Sequence, residues 1–206
     1  TVGIPVPGMD LDIVDDDGNS VRGKNGYLVI KSPWPAMTRG LLNDNDRYIK
    51  TYWSRFENIW FHGDYVFADE DNLWYMQGRS DDVINVSGHR MSTAEIEHAV
   101  ISHKKISDAA SISIPDELTG EAIVVFFVSN DKNDIDLESE IIEHVSKKIG
   151  KIAKPKLLFQ LSDLPKTRTG KIMRRLLKAK LTGNTLGDLS SLENPDILDE
   201  INKLNK

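Results

Sequence analysis

The chain has 206 residues, a formal charge of −6, 39% hydrophobic residues and no cysteine. It is long enough for one large or two small globular cores, and it cannot form a disulfide framework, a thiolate metal site or a cysteine nucleophile. No apolar run approaches the ~18 residues of a membrane helix, and an acidic composition weakens a general nucleic-acid role.

Thr1 to Gly8 show neither an initiator methionine nor a signal-peptide pattern, so the sequence reads as a fragment entered in mid-course. Met9 to Val14 predicts a strand, Asp15 to Ser20 a turn, and Gly26 to Lys31 a second strand, together a β-hairpin. The turn acids do not make a calcium loop: with Asp15 and Asp17 at its third and fifth positions, the twelfth falls on Lys24, where a bidentate glutamate is required. Ser32 to Asn58 reads as irregular, with room for a short helix, and its Trp34, Trp53 and Phe56 are expected in a core. Ile59 to Phe67 and Leu73 to Arg79 predict two strands joined at Asp69-Glu70-Asp71-Asn72. Asp64 and Arg79 each follow a glycine, which would let a ligand approach the backbone closely at both places.

The pattern changes at Ser80-Asp81-Asp82, where a domain boundary is expected. Val83 to Val86 is β-rich, Ser87 to Arg90 reads as a turn, and Ser92-Thr93-Ala94-Glu95 is a capping box before a helix over Ile96 to Ser102. Asp108 to Ile114 and Glu121 to Ser129 predict strands on either side of a loop containing Pro115 and Gly120, the second apolar enough to be central in a sheet. Leu137, Ile141, Ile142, Val145 and Ile149 form a helical stripe closed by Gly150, and Leu157 to Gln160 adds a strand. A polar tail from Thr182 is expected to wrap the surface.

Leu164 to Arg175 holds five positive charges, a proline and a glycine without one acid. Pro165 and Gly170 predict a mobile loop, and Ile172, Met173, Leu176 and Leu177 a helix whose other face carries Lys171, Arg174, Arg175 and Lys178. Lys171 then stands where loop becomes helix, and its compact ammonium suits several anionic oxygens at once, as phosphoryl chemistry requires. A solvated basic helix face is the plain alternative.

Phe61-His62-Gly63-Asp64, the run from Gly78-Arg79-Ser80-Asp81-Asp82 to Ser87-Gly88-His89-Arg90, and Leu164 to Arg175 stand in an order and spacing that resemble the carboxyl-terminal portion of the AMP-forming acetyl-CoA synthetases, within the adenylate-forming superfamily. The likeness runs essentially end to end. It implies an α+β architecture: the end of a large amino-terminal domain, β-rich and barrel-like, over residues 1–80, then a small mobile carboxyl-terminal lid over 81–206. It also implies a two-step reaction, in which acetate and ATP give acetyl-adenylate and pyrophosphate, and coenzyme A then displaces AMP. In that scheme Asp64 holds the ribose hydroxyls, Arg79 supports the ribose or phosphate side, and Asp81 is the hinge. Lys171 reaches the carboxylate and α-phosphate in the first step, while Ser87, Gly88, His89 and Arg90 face the site in the second. The pantetheine arm passes Gly88, and Arg90 meets phosphate. Ile101, His103 and Ile106 resemble a structural magnesium site, and a catalytic magnesium would ride on ATP.

No glycine-rich phosphate loop occurs in the chain, so the 206 residues are expected to be inactive alone. Propionate or another short acid is the alternative substrate, and a non-catalytic polyanion- or partner-binding module the alternative of another class. Further expectations are a cytoplasmic location, no membrane or nucleic-acid partner, and control of Lys171 by an acetyltransferase and a deacetylase, since acetylation removes its charge.

Overall fold

The computed structural model describes residues 1–129 and 135–204, and the chain divides into two compact units, Thr1–Val83 and Ile84–Lys206. In the first unit, strands β1 (Leu11–Val14), β2 (Asn25–Ile30), β3 (Trp60–Ala68) and β4 (Trp74–Arg79) form an antiparallel meander in that order. Period-two alternation sends Ile13, Leu28, Val66 and Trp74 into one buried cluster and Val14, Tyr27, Val29 and Tyr65 into another. The segment read as irregular contains helix α1 (Asn45–Tyr52), capped by the Asp44 side chain. Its Tyr48 and Tyr52, with Trp34 and Trp53, surround Trp60, and the Tyr52 and Trp60 rings stack at 4.3 Å.

The β1–β2 hairpin buries a carboxylate. Asp12 is 6% exposed, accepts from Ile13 N and Ser20 Oγ, and pairs with Arg22 at 2.9 Å and with Lys31. Burial pushes its pKa up, but these donors outweigh burial and hold it at about 2.

The second unit is a sheet between helices. Strands β5 (Ile84–Val86) and β6 (His89–Met91) form a hairpin, and helix α2 (Thr93–Ile101) follows, with Ser92 Oγ accepting from Ala94 N. Strands β7 (Ile106–Asp116) and β8 (Gly120–Ser129) pair over their whole length, and β9 (Leu157–Gln160) joins β8 in parallel. Helices α3 (Leu137–Lys148), α4 (Arg174–Thr182) and α5 (Ile197–Lys203) complete the unit. The apolar run in β8 serves both faces. Ile123, Val125 and Phe127 pack with residues of α2 and α3, and Ala122, Val124 and Phe126 with residues of α4 and α5. Such a doubly covered strand needs no polar alternation.

Several expectations change. His89 and Arg90 are strand rather than turn, because β5 and β6 pair up to Val86↔His89 and leave only Ser87 and Gly88 as loop. Pro115 and Gly120 lie inside β7 and β8. Lys171 precedes α4 by three residues and sits in a closed turn, not at the helix start. Arg174 points inward to a buried glutamate. The tail does more than wrap the surface: Ile197 and Ile201 of α5 are buried in the core against α4. Residues 1–80, expected as a β-rich, barrel-like region, hold this four-stranded meander and helix α1.

Candidate active-site elements

In the first unit, β3 and β4 pair so that Asp64 lies opposite Arg79. Arg79 Nη1 donates to Asp64 Oδ1 at 3.2 Å, and His62 Nδ1 lies 2.8 Å from Asp64 Oδ2. Arg79 Nε also donates to Asp81 Oδ1 at 3.3 Å. One guanidinium therefore joins the carboxylate expected at the ribose with the residue expected as hinge. An ionised carboxylate has about four acceptor positions. Two are used here, which leaves capacity for a pair of ligand hydroxyls. Gly63 holds φ at +90°, and its carbonyl accepts from Ser80 N (2.9 Å) and Ser80 Oγ (3.0 Å), which fixes the chain leaving β4.

The second unit carries the other candidates in two places. Ser87 (φ +50°) and Gly88 (φ +82°) form the two-residue turn of the β5–β6 hairpin, a left-handed pair that favours glycine. Ser87 N donates to Thr119 O at 2.8 Å, and His89 Nδ1 lies 3.3 Å from Ser87 O. A Cβ on Gly88 would meet nothing within 4 Å, so the space above this turn is open. All four residues from Ser87 to Arg90 are exposed.

Lys171 projects from a braced loop. Met173 N donates to Pro165 O at 2.7 Å, Thr167 N to Lys171 O at 2.9 Å, and Gly170 N to Thr167 O at 2.8 Å, with Gly170 at φ +79°. Thr167 Oγ1 accepts from Lys171 N at 3.1 Å. Below the loop, Lys166 Nζ pairs with Asp108 (2.9 Å) and Asp163 (3.0 Å), which raises the Lys166 pKa and lowers that of Asp163. Asn194 of the tail accepts from Lys166 N at 3.1 Å and donates to Asp163 and to Leu164 O. After the loop, Arg174 grips buried Glu97 with Nε (2.8 Å) and Nη2 (2.7 Å), and Ser111 N donates to the same carboxylate at 2.8 Å. The ammonium of Lys171 is exposed and has no partner among the described residues.

Lys171 lines a groove of about 440 Å³ with Thr167 and the tail residues Ser190 and Ser191. Ser87 lines another of about 520 Å³, and the two grooves share no residue. The structure thus joins Asp64, Arg79 and Asp81, and keeps the Ser87–Gly88 turn apart from Lys171.

At the magnesium candidate, Ile101 and Ile106 offer only main-chain carbonyls, and the His103 carbonyl already accepts from Ile106 N at 3.0 Å. His103 Nε2 is 3.4 Å from Glu140, which Lys105 engages at 2.7 Å, while His103 Nδ1 is buried without a partner. Among the described residues no three acidic, histidine or cysteine side chains form a metal set. A hard cation prefers oxygen ligands, so only main-chain carbonyls fit one here, and no chemical step depends on it.

The sequence reading missed His62, Glu97, Asp163 and Asn194. His62 had a signal, since residues two apart on a strand share a face. Glu97 had none, because its partner is 77 residues away.

Residues 95–171 match the AMP-binding enzyme C-terminal domain, a match that ends on Lys171. The chain is 46% identical over 208 residues to the acetyl-coenzyme A synthetase of Pyrobaculum arsenaticum, which covers 98% of this chain and 31% of that protein. The acetyl-coenzyme A synthetase of Streptomyces coelicolor is 44% identical over 200 residues, covering 96% of this chain and 31% of that protein. Among solved structures, acetoacetyl-CoA synthetase from Streptomyces lividans matches with a TM-score of 0.85 at 26% identity, over 98% of this chain and 31% of that one. The chain therefore spans about a third of the length of the curated relatives it matches.

Proposed function

The chain belongs to the AMP-binding enzymes through their C-terminal domain, with the carboxyl-terminal portion of the AMP-forming acetyl-CoA synthetases as its kin, and from that membership we propose that it serves a ligase activating acetate with ATP and passing the acetyl group to coenzyme A. The observation that carries this reading is the separation of Lys171 from the Ser87–Gly88 turn, each on its own groove. A domain that assists two successive reactions needs two such sets of groups.

In the first step the acetate oxygen attacks the α-phosphorus and pyrophosphate leaves. Lys171 offsets the charge growing on the phosphoryl and carboxylate oxygens, and its braced loop holds it in place before the reaction begins. Asp64 accepts from the ribose hydroxyls, with Arg79 and His62 fixing its carboxylate. Magnesium would enter on the phosphates of ATP and neutralise part of their charge. In the second step the thiol attacks the acetyl carbon and AMP leaves. The open space over Gly88 admits the pantetheine arm, with Ser87, His89 and Arg90 beside it. Asp81 is the hinge between these states, within a lid that follows the end of the larger domain. Acetylation of Lys171 would remove its charge and silence the first step, which makes opposing acetyltransferase and deacetylase enzymes natural regulators.

The polyanion-binding alternative loses ground because Lys166, Arg174 and Arg175 are committed to internal partners. No helix among the described residues is long and apolar enough to cross a membrane, and a cytoplasmic location belongs to the same proposal. The test is product analysis with the enzyme containing this chain, against a panel of short carboxylates. Acetate is expected to give acetyl-CoA, AMP and pyrophosphate in equal amounts, with propionate slower and the 206 residues alone inactive. Release of ADP and phosphate, or a preference for propionate, would contradict the assignment.

A further inference from the structure

The loop that carries Lys171 starts around Pro165, which brings no N–H of its own to a neighbouring strand. The polar groups on either side of the proline must find partners elsewhere, and they find them on the tail. One side chain, Asn194, accepts from Lys166 N at 3.1 Å and donates to Leu164 O at 2.8 Å and Asp163 Oδ2 at 3.0 Å. Next to it, Glu193 N donates to Lys166 O at 2.8 Å, and Leu192 forms an antiparallel bridge with Thr167. The tail therefore runs along the base of the loop as a short added strand.

This stretch is anchored at both ends. Arg175, in the first turn of α4, donates to the carbonyls of Leu186 and Asp188, and beyond Asn194 the side chains of Ile197 and Ile201 are buried in the core. Between the anchors, Ser190 and Ser191 line the groove that Lys171 also lines. Holding a long lysine side chain against a substrate already costs rotamer freedom. A loop that also moved would add to that cost and misplace the ammonium.

We propose that residues 186–194 are a strap that positions Lys171 for the first step, with Asn194 as the residue that ties the loop to it. Asn194 is a positioning residue, acting through the loop rather than on substrate. The inference rests on the reading that Lys171 serves adenylation.

The experiment compares the wild-type enzyme containing this chain with Asn194→Ala. The kcat of acetate-dependent pyrophosphate exchange is expected to fall roughly ten- to a hundredfold, the scale of a displaced catalytic group, with the KM for ATP unchanged. Thioester formation from preformed acetyl-adenylate is expected to stay at the wild-type rate, which general damage to the fold would not allow. Arg175→Ala, which frees the other anchor, is expected to act in the same direction. In a Lys171→Ala background Asn194→Ala is expected to cost nothing further, because it works through the lysine. Unchanged pyrophosphate exchange in both variants, equal loss of both half-reactions, or an additive loss in the double variant would overturn the proposal. Amide hydrogen exchange separates this from failure of the broader reading. The N–H groups of Thr167 and Gly170 keep their own acceptors in Asn194→Ala, yet are expected to exchange faster as the loop loosens. Unchanged exchange there would refute the strap. Faster exchange, in an enzyme whose Lys171→Ala variant adenylates at the wild-type rate, would instead refute the role of Lys171 and with it the strap's service to catalysis.

Discussion

A Cβ on Gly63 would come within 2.6 Å of Arg79 Nη2, on a backbone whose φ of +90° side-chain-bearing residues rarely adopt. The obstructing atom is the end of a flexible side chain, so Gly63→Ala is expected to damage the site more than the fold. Thermal unfolding would show a loss of about 1 kcal/mol from the left-handed backbone, while the KM for ATP rises as the guanidinium leaves Asp64. An unchanged KM would mean that Arg79 does not position that carboxylate. Gly63, Asp64 and Arg79 were marked in the sequence by glycine beside a charged residue, and the strand register brings Asp64 and Arg79 together. Glu97 was not, since a glutamate on an amphipathic helix looks solvated until its partner from another element is known. It is nevertheless 7% exposed and holds Arg174 through two hydrogen bonds. Glu97→Ala leaves that guanidinium partly buried without this partner, at a cost of about 3 kcal/mol in chemical denaturation.

Among the elements, the β1–β2 hairpin has its own pH dependence. Asp12 has a pKa of about 2 when folded, against 3.8 for the free side chain. The folded value is the lower one, so its stabilisation is full above about pH 4 and fades as pH falls toward 2. Because Arg22 and Lys31 are partly exposed, the contribution is on the order of 1–2 kcal/mol. Asp12→Asn should remove that acid-side slope, as urea titrations at pH 5 and pH 3 would reveal; an identical slope in the variant would contradict the assignment. The strands were readable from alternation, turn residues and the apolar run in β8. The loop before Lys171 was readable from Pro165 and Gly170, but its bracing was not, since Asp108, Glu97 and Asn194, all distant in sequence, add to the hydrogen bonds within the loop. Helix α5 left a trace in Ile197 and Ile201, four apart on one face, but the polar residues around them concealed it.

At the scale of the molecule, the pattern break at Ser80-Asp81-Asp82 stands beside two compact units that divide after Val83. The proposed alternation between steps would depend on contacts with substrate, so it leaves no local pattern in the sequence. The proposal that one small domain serves two reactions therefore depends on chemistry that separates the steps. The direct measurement is a pair of half-reactions with two variants of the enzyme containing this chain, Lys171→Ala and Gly88→Phe. The lysine variant is expected to lose adenylation by about 10²–10³-fold, the usual cost of removing a group that stabilises a transition state, while making thioester from preformed acetyl-adenylate within a few-fold of wild type. The glycine variant is expected to do the reverse. Equal loss of both half-reactions in both variants would contradict the division of labour between the two grooves.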